Sequence, residues 1–280
     1  METDGERIVA LAPDLIVETI RRDNGQFNDV LIVNDAWVLR FAKSAAVIAA
    51  LPGEVAFLRA IAGRLPLATP AVQYLNLTPP HVGMGYPILP GVALSREWLA
   101  SASASRLQGI GAQLGEFLRA LHALPLDLFT GSAIQDRAEE WADLYTHIRA
   151  HLFPHMRPDA QADVAARFEA FLAASDSDWT PSPRHGDFGS GNVLYDETTG
   201  DVTAIIDFGS AALGDPAVDI AALSTMGETV FQAALTAYPE AAAYRERAAF
   251  YRSTFALQQA WYGLRDGSQE DFEYGIARYR

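Results

Sequence analysis

Residues 185–192 read His185-Gly-Asp187-Phe-Gly-Ser-Gly-Asn192, and Asp207-Phe-Gly follows fifteen positions after Asn192. Two short β-rich runs, 193–196 (VLYD) and 202–207 (VTAIID), lie between these segments. They predict a hairpin with Asp187 and Asn192 in the entering loop and Asp207 at the exit. We therefore expect three oxygen-bearing side chains to converge on one point.

These side chains suit Mg²⁺, which prefers hard oxygen ligands and leaves coordination positions open for phosphate oxygens and water. A carboxylate not used for the metal can orient a hydroxyl group. The alternative interpretation is that Asp, Asn and Gly only form turns at the two ends of a hairpin. The presence of both segments, in this order, favours the chemical interpretation.

Upstream of this hairpin the pattern is strand-rich. The runs 26–33 (QFNDVLIV) and 36–42 (AWVLRFA) flank Asn34-Asp35, a pair suited to a tight antiparallel turn. A helix is predicted after Pro52-Gly53, which places Glu54 in its first turn. Further short apolar runs follow at 71–77 and 84–89.

The middle and the end of the chain are predicted to be mainly helical. A long helix runs from Ser105 onward, and helical composition continues in 136–150 and 159–174. No G-x-x-x-x-G-K-[ST] sequence is present, so the chain is not a P-loop enzyme. Gly109-Ile-Gly111 falls within the long helix and is no nucleotide-binding loop.

Arg40 interrupts the apolar run 37–41 (WVLRF), where a buried charge requires a partner. Glu54 in the following helix is the candidate partner. Arg40 would then supply the positive charge for the phosphate groups of a ligand bound at this site, with Lys43 as the alternative. The remaining possibility is that Arg40 occupies an exposed position of the strand.

The bulk composition narrows the classes of partner. Lys and Arg total 21 against 35 for Asp and Glu, a net charge of −14, which disfavours nucleic acid and anionic membranes and favours cationic ligands. Solubility alone also explains such a charge.

The chain has no cysteine, which excludes disulfides, thiolate metal sites and cysteine nucleophiles. The N-terminus is acidic and lacks a signal-peptide pattern, so we expect a cytoplasmic protein. A monomer is the simplest expectation.

The pattern H-x-D-x-x-x-x-N followed by D-F-G resembles the catalytic loop and metal-binding segment of eukaryotic-like kinases. Gly214-Asp215-Pro216 with Asp219 is typical of the aminoglycoside phosphotransferase family, and the A-P-E signature of protein kinases is absent. Residues 85–91 and 252–263 look most like the aminoglycoside 2''-phosphotransferases. The resemblance spans about residues 20–275 of the chain.

This resemblance implies an α+β, two-lobed, protein-kinase-like fold. Residues 1–91 would form an antiparallel-sheet, nucleotide-binding lobe that includes the hinge. Residues 92–280 would form a mainly helical lobe with the catalytic loop and the acceptor pocket. The cleft between the lobes would bind Mg²⁺ and ATP or GTP.

The resemblance also implies roles for individual residues. Asp187 would orient the acceptor hydroxyl, Asn192 and Asp207 would bind magnesium, and His185 would brace the loop. Arg40 and Glu54 would reproduce the strand–helix ion pair of kinases, with Arg in place of the usual Lys.

Residues near the base and the acceptor follow from the same resemblance. Tyr86 would be the gatekeeper, whose bulk favours guanine over adenine, with Pro87 and Leu89 giving backbone hydrogen bonds to the base. An ordinary core role is the alternative for Tyr86. The acceptor would be bound by C-terminal side chains, whose carboxylates suit ammonium groups: Glu228, Trp261, Tyr262 and Asp266. The two aromatic residues among them could instead belong to the core.

We therefore predict a small-molecule kinase that transfers the γ-phosphate of ATP or GTP to a hydroxyl of a cationic, aminoglycoside-like acceptor, as antibiotic-resistance enzymes do. A macrolide kinase or another metabolite kinase of the same fold is the first alternative. A catalytically silent, nucleotide-binding pseudokinase is the alternative from another class. The sequence leaves the acceptor, its phosphorylated hydroxyl and the choice between ATP and GTP open.

Overall fold

The computed structural model describes residues 3–25, 27–174 and 179–280. An antiparallel sheet and two helices make up the N-terminal part, and the C-terminal part is mainly helical. This arrangement confirms the predicted two-lobed α+β fold. Within the described ranges, we find no helix with the length and apolar character that crossing a bilayer would require.

The N-terminal sheet comprises β1 (Ile20–Asn24), β2 (Asn28–Val33), β3 (Trp37–Ala42), β4 (Tyr74–Asn76) and β5 (Gly83–Pro87). Its strand order is β1-β2-β3-β5-β4, and all neighbouring pairs are antiparallel.

The predicted hairpin of β2 and β3 is confirmed, although position 26 of the predicted run lies outside the described residues. Asn34 and Asp35 have φ angles of 56° and 49°. Type I′ hairpin turns require this left-handed conformation at both central positions, and Asn and Asp adopt it more readily than most residues. The turn therefore follows directly from the local sequence.

Two helices accompany this sheet, α1 (Asp4–Leu11) and α2 (Ala45–Ile61). Helix α2 begins well before Pro52, so the predicted start after Pro52-Gly53 is wrong. Ser44 caps the helix by accepting a hydrogen bond from the Val47 N–H at 3.4 Å. Pro52 is accommodated on the exposed side of the helix. Glu54 consequently lies in the interior of α2 rather than in its first turn, and it is buried.

The C-terminal part contains the predicted long helix and the embedded hairpin. Its helices are α3 (Arg96–Ser101), α4 (Ala104–His122), α5 (Arg137–His147), α6 (Pro158–Ala173), α7 (Ala217–Leu223), α8 (Glu228–Ala237), α9 (Arg245–Asp266) and α10 (Gln269–Ile276). Its strands are β6 (Val92–Ala93), β7 (Ser182–Arg184), β8 (Val193–Tyr195), β9 (Val202–Ile205) and β10 (Ala212–Gly214). The strands form two small antiparallel sheets, β6-β8-β9 and β7-β10.

Helices α4 and α8 pack closely against each other, and this contact depends on glycine. A Cβ atom at Gly111 would collide with the carbonyl oxygen of Val230 and lie 2.8 Å from the Cβ of Ala233. Gly109, on the same helix, has open space where a Cβ would be. The two glycines therefore lie on the same helix, but α8 packs against Gly111 and not against Gly109.

We expect Gly111→Ala to lower the free energy of unfolding by about 1–3 kcal/mol, because a backbone carbonyl cannot move aside cheaply. Gly109→Ala should instead raise it by about 0.5–1 kcal/mol through better helix propensity. Urea unfolding of both variants checks the pair. Equal stability of the two variants would contradict the close contact between the helices.

Candidate active site

The embedded hairpin brings the three predicted residues together. The Ile206 N–H donates to the carbonyl oxygen of Asn192 at 2.9 Å, which places Asn192 beside the chain that continues into Asp207. Asn192 Nδ2 donates to the carbonyl oxygen of Asp187 at 2.8 Å and to its Oδ2 at 3.1 Å. The loop that enters the hairpin and the residue that leaves it therefore lie side by side.

Asp207 adopts a left-handed conformation, with φ at 61° and ψ at 71°. Non-glycine residues seldom occupy this region, and such conformations persist where the surrounding structure enforces them, often at functional sites. The side chain of Asp207 is 49% exposed. A carboxylate is therefore held in an uncommon conformation while remaining open to a ligand.

His185 stabilises the catalytic loop through hydrogen bonds, which is the role that the resemblance implies for it. Its ring is fully buried, and Nε2 lies 2.9 Å from the carbonyl oxygen of Ile206. Its Nδ1 accepts the Asp187 N–H at 3.2 Å. These two contacts require a neutral imidazole with its proton on Nε2. His185 thus ties the start of the loop to the residue before Asp207.

Asp219 of α7 holds the same loop, a role that the sequence did not assign to it. Its carboxylate accepts the backbone N–H groups of His185 and Gly186, each at 2.8 Å, and contacts His122 Nε2 at 3.0 Å. Burial alone would raise the pKa of Asp219, but the hydrogen bonds from the His122 ring and from the backbone N–H of His185 lower it. The signal was present in the sequence as the spacing Gly-Asp-Pro-x-x-Asp.

The predicted ion pair of Arg40 and Glu54 forms. Arg40 Nη1 donates to Glu54 Oε1 at 2.7 Å, and Arg40 Nη2 lies 3.4 Å from Asp207 Oδ1. Only 11% of the Arg40 side chain is exposed, so the alternative of an exposed strand position is wrong. Burial would lower the pKa of Arg40, but the Glu54 and Asp207 carboxylates outweigh it and raise the pKa. The arginine therefore places a permanent cation beside Asp207.

Lys43, the alternative cation, lies elsewhere. Its Nζ donates to the carbonyl oxygen of Gly25 at 2.7 Å and lies 3.5 Å from Asp29 Oδ1. It thus contacts the turn between β1 and β2. This placement favours Arg40 as the cation nearest the catalytic loop.

The oxygen donors at the hairpin fit a magnesium ion. Because Asn192 Nδ2 is used within the loop, its Oδ1 is the atom left for a ligand, and the Asp207 carboxylate is half exposed. Among the described residues, no group of three or more His, Cys, Asp or Glu side chains converges on a metal position. Mg²⁺ commonly takes few ligands from the protein and the rest from phosphates and water, so this donor set suits it.

The predicted hinge residues lie at the end of β5 and just after it. Tyr86 is buried and pairs with Val38 of β3, and Pro87 pairs with Trp37. Pro87 has no N–H, so it can contact a base only as an acceptor through its carbonyl oxygen. Leu89 is partly buried and carries both backbone groups.

A cavity of about 410 Å³ lies between α5 and α9. It is lined by Glu140, Trp141, Asp143, Leu144, His147, Gln258, Trp261, Tyr262 and Arg265. Two of the predicted acceptor residues, Trp261 and Tyr262, belong to this lining. Trp261 is not an interior core residue, since it is partly exposed and stacks on His147 with 4.6 Å between the ring centroids.

The two carboxylates predicted for the acceptor, Glu228 and Asp266, do not line this cavity. Asp266 is bound by Arg265, with Nε–Oδ1 and Nη2–Oδ2 distances of 2.6 Å and 2.9 Å. Glu228 is exposed at the start of α8 and accepts a hydrogen bond from Gln232 at 2.8 Å. The cavity instead contains two carboxylates that the sequence did not single out, Glu140 and Asp143.

One of these carboxylates is connected to the catalytic loop. Arg184, buried in β7 directly before His185, donates from Nη2 to Glu140 Oε1 and Oε2 at 3.1 Å and 3.3 Å. Glu140, which lines the cavity, keeps 40% of its side chain exposed. The strand that leads into the loop therefore fixes the orientation of a cavity carboxylate.

A family model described as the phosphotransferase enzyme family matches residues 19–251. The chain belongs to this family. Viomycin phosphotransferase from Streptomyces vinaceus is 31% identical over 294 residues, covering 100% of this chain and 99% of that protein. The family assignment and the class of enzyme, a phosphotransferase, are thereby confirmed.

Solved structures with the same fold include family members bound to nucleotide. The GDP and kanamycin complex of APH(2'')-IIIa has a TM-score of 0.89 at 22% identity, covering 98% of this chain and 96% of that one. The streptomycin–ATP complex of APH(2'')-IIa has a TM-score of 0.78 at 21% identity, covering 100% and 96%. A type I macrolide 2'-phosphotransferase has a TM-score of 0.75 at 25% identity, covering 99% and 98%. None of these phosphotransferases supports the pseudokinase alternative.

Proposed function

We propose that this phosphotransferase moves the γ-phosphate of ATP or GTP onto a hydroxyl of a cationic, aminoglycoside-like acceptor. The observation that carries the proposal is the convergence of Asp187, Asn192 and Asp207 at one hairpin, with Arg40 in contact with Asp207. The neighbouring cavity with two carboxylates supports a cationic acceptor.

In the proposed reaction the acceptor hydroxyl oxygen attacks the γ-phosphorus in line with the leaving group. A bond forms between these two atoms, and the bond from the γ-phosphorus to its bridging oxygen breaks, which releases the nucleoside diphosphate. Asp187 orients the hydroxyl and accepts its proton. Arg40 neutralises phosphate charge, as Mg²⁺ held by Asn192 and Asp207 would when bound.

The acceptor would occupy the cavity between α5 and α9. Charge-assisted hydrogen bonds from ammonium groups to Glu140 and Asp143 would hold it, and the rings of Trp261 and Tyr262 would cover its apolar faces. Glu228 and Asp266 stay candidates for more distant rings of a large acceptor. The hydrogen bond from Arg184 fixes the position of Glu140 relative to the catalytic loop, which begins directly after Arg184.

We expect Glu140→Gln to raise the KM for a cationic acceptor by about 10- to 100-fold, since one charged hydrogen bond contributes roughly 1.5–3 kcal/mol. The KM for the nucleotide should change little. Steady-state kinetics with each substrate varied in turn measures both.

Two variants control this test. Glu139→Gln changes an exposed neighbour on the same helix and should leave both KM values unchanged. Asp143→Asn removes the second cavity carboxylate, which is not bonded to Arg184, and should also raise the acceptor KM. If both cavity variants bind the acceptor as well as the unmodified protein does, the acceptor lies elsewhere.

The function itself is tested with labelled ATP and GTP and a panel of acceptors. Viomycin, kanamycin, gentamicin and streptomycin belong in the panel because relatives are named for them or bound to them, and macrolides represent the second candidate. We expect an aminoglycoside or another cationic antibiotic to stimulate phosphate transfer. Transfer to macrolides alone would overturn the cationic acceptor.

The same proposal includes the organisation of the chain. Residues 1–91 form the nucleotide-binding lobe with the hinge, where Tyr86, Pro87 and Leu89 face the base, and residues 92–280 form the acceptor-binding lobe. A nucleotide donor supports a cytoplasmic location, which is also part of the proposal. We propose a monomer that binds neither nucleic acid nor membranes, in keeping with the net charge of −14.

A further inference from the structure

Arg40 and Tyr86 are diagonal neighbours on one face of the N-terminal sheet. Strands β3 and β5 are antiparallel, with Val38 opposite Tyr86 and Arg40 opposite Met84. Side chains at opposite and alternate positions share a face of the sheet, and diagonal neighbours lie within reach of long and aromatic side chains. Tyr86 is only 7% exposed, so its ring is fixed within this face.

From this diagonal position the Tyr86 hydroxyl is within reach of the Arg40 guanidinium, and the positive charge of Arg40 acts to lower the pKa of Tyr86. Because arginine has donors only, the tyrosine oxygen would be the acceptor of a hydrogen bond between them. Burial raises the pKa of Tyr86, so the hydroxyl remains protonated and neutral at physiological pH. A neutral acceptor can hold the guanidinium without neutralising its charge.

Three elements therefore fix one cation. Glu54 of α2 accepts from Nη1, Asp207 accepts from Nη2, and the Tyr86 hydroxyl of β5 is the uncharged group on the same face of the sheet. The planar guanidinium has directional donors and must be oriented, unlike a lysine ammonium, which acts as a compact point charge. For an arginine at this position, a neighbouring side chain must therefore orient the plane of the guanidinium group.

We propose that Tyr86 is a positioning residue for Arg40, whose hydroxyl orients the guanidinium toward Asp207 and the transferred phosphate. This inference rests on the proposed phosphate-binding role of Arg40. It separates two roles of Tyr86: the bulk of the ring acts beside the nucleotide base, and the hydroxyl acts on the cation.

Tyr86→Phe tests the hydroxyl, because it keeps the ring. We expect kcat to fall by about 10- to 100-fold, as for the loss of one hydrogen bond to a charged group, with the ratio of ATP to GTP turnover unchanged. Tyr86→Leu removes the ring as well and should change that ratio. Tyr74→Phe, which removes a hydroxyl from the adjacent strand β4, is the matched control and should leave kcat unchanged.

A double-mutant cycle with Arg40→Met distinguishes positioning from a general structural effect. We expect Tyr86→Phe to have no further effect on kcat once Arg40 is gone. An unchanged kcat in Tyr86→Phe would overturn the inference, and so would an equal loss in both backgrounds. Full activity of Arg40→Met would instead overturn the proposed role of Arg40 itself, so the two failures are distinguishable.

Discussion

Replacing Asp187 with asparagine is expected to lower kcat by about 10²- to 10⁴-fold, the usual contribution of a positioned proton acceptor. The amide cannot take the hydroxyl proton, and the side chain is neutral. The loop itself should persist, because its backbone is held by His185 Nδ1 and by the Asp219 carboxylate, and an asparagine amide oxygen can still accept from Asn192 Nδ2 as the Asp187 carboxylate does. Affinity for the nucleotide should therefore change little.

Initial-rate measurements with a stimulating acceptor, together with calorimetric nucleotide titration, check this result. Asp201→Asn is the matched control, because it neutralises an exposed carboxylate at the other end of the same hairpin. It should retain the activity of the unmodified protein. If Asp187→Asn kept more than about a tenth of kcat, a loss smaller than the general-base range, Asp187 would not be the proton acceptor.

Replacing Asp219 with asparagine is expected to lower the free energy of unfolding by about 3–5 kcal/mol, the range seen when one partner of a buried, charged network is removed. Both carboxylate oxygens accept backbone N–H groups, and His122 donates to one of them. An amide presents a donor where one oxygen stood, so a buried N–H group loses its acceptor. The loss should also displace the catalytic loop and lower kcat.

The pH dependence of this effect follows from the lowered pKa of Asp219. The carboxylate stabilises the folded protein above its unfolded pKa of about 3.9, and this stabilisation is lost as the pH falls through the lower folded pKa. The difference in stability between the protein and Asp219→Asn should therefore be full at pH 7 and shrink in strong acid.

Urea unfolding at neutral and acidic pH measures that difference. Asp163→Asn serves as control, because Asp163 is exposed and pairs with Arg167 on the same helix, so the change should cost less than about 1 kcal/mol. A neutral-pH loss in Asp219→Asn no larger than in this control would show that Asp219 does not hold the loop.

The catalytic hairpin could be predicted because its contacts are local. Asn192 and Asp207 are joined by one short hairpin, and the spacing of polar residues at its ends determines which side chains meet. The turn at Asn34 and Asp35 is predictable for the same reason, since both residues tolerate a positive φ. The predicted start of α2 is wrong because Pro52 does not mark a helix boundary. It lies inside α2, on the exposed side of the helix.

The acceptor cavity could not be predicted from the pattern of residues. Glu140 and Asp143 look like any exposed carboxylates of an amphipathic helix until α5 packs beside α9. Asp266 also resembles a free carboxylate in the sequence, but its side chain pairs with the adjacent Arg265. Which carboxylate faces a ligand depends on packing between helices that are far apart in the chain.

The chemistry of the hairpin follows from residue order, because short-range strand pairing brings Asp187, Asn192 and Asp207 to the same end of the hairpin. What surrounds that chemistry depends on contacts between distant parts of the chain. Arg40 meets Asp207 across 167 positions of the chain, and Asp219 reaches back across 34 positions to His185. Such contacts form when separate elements pack around a common core, and no local spacing encodes them.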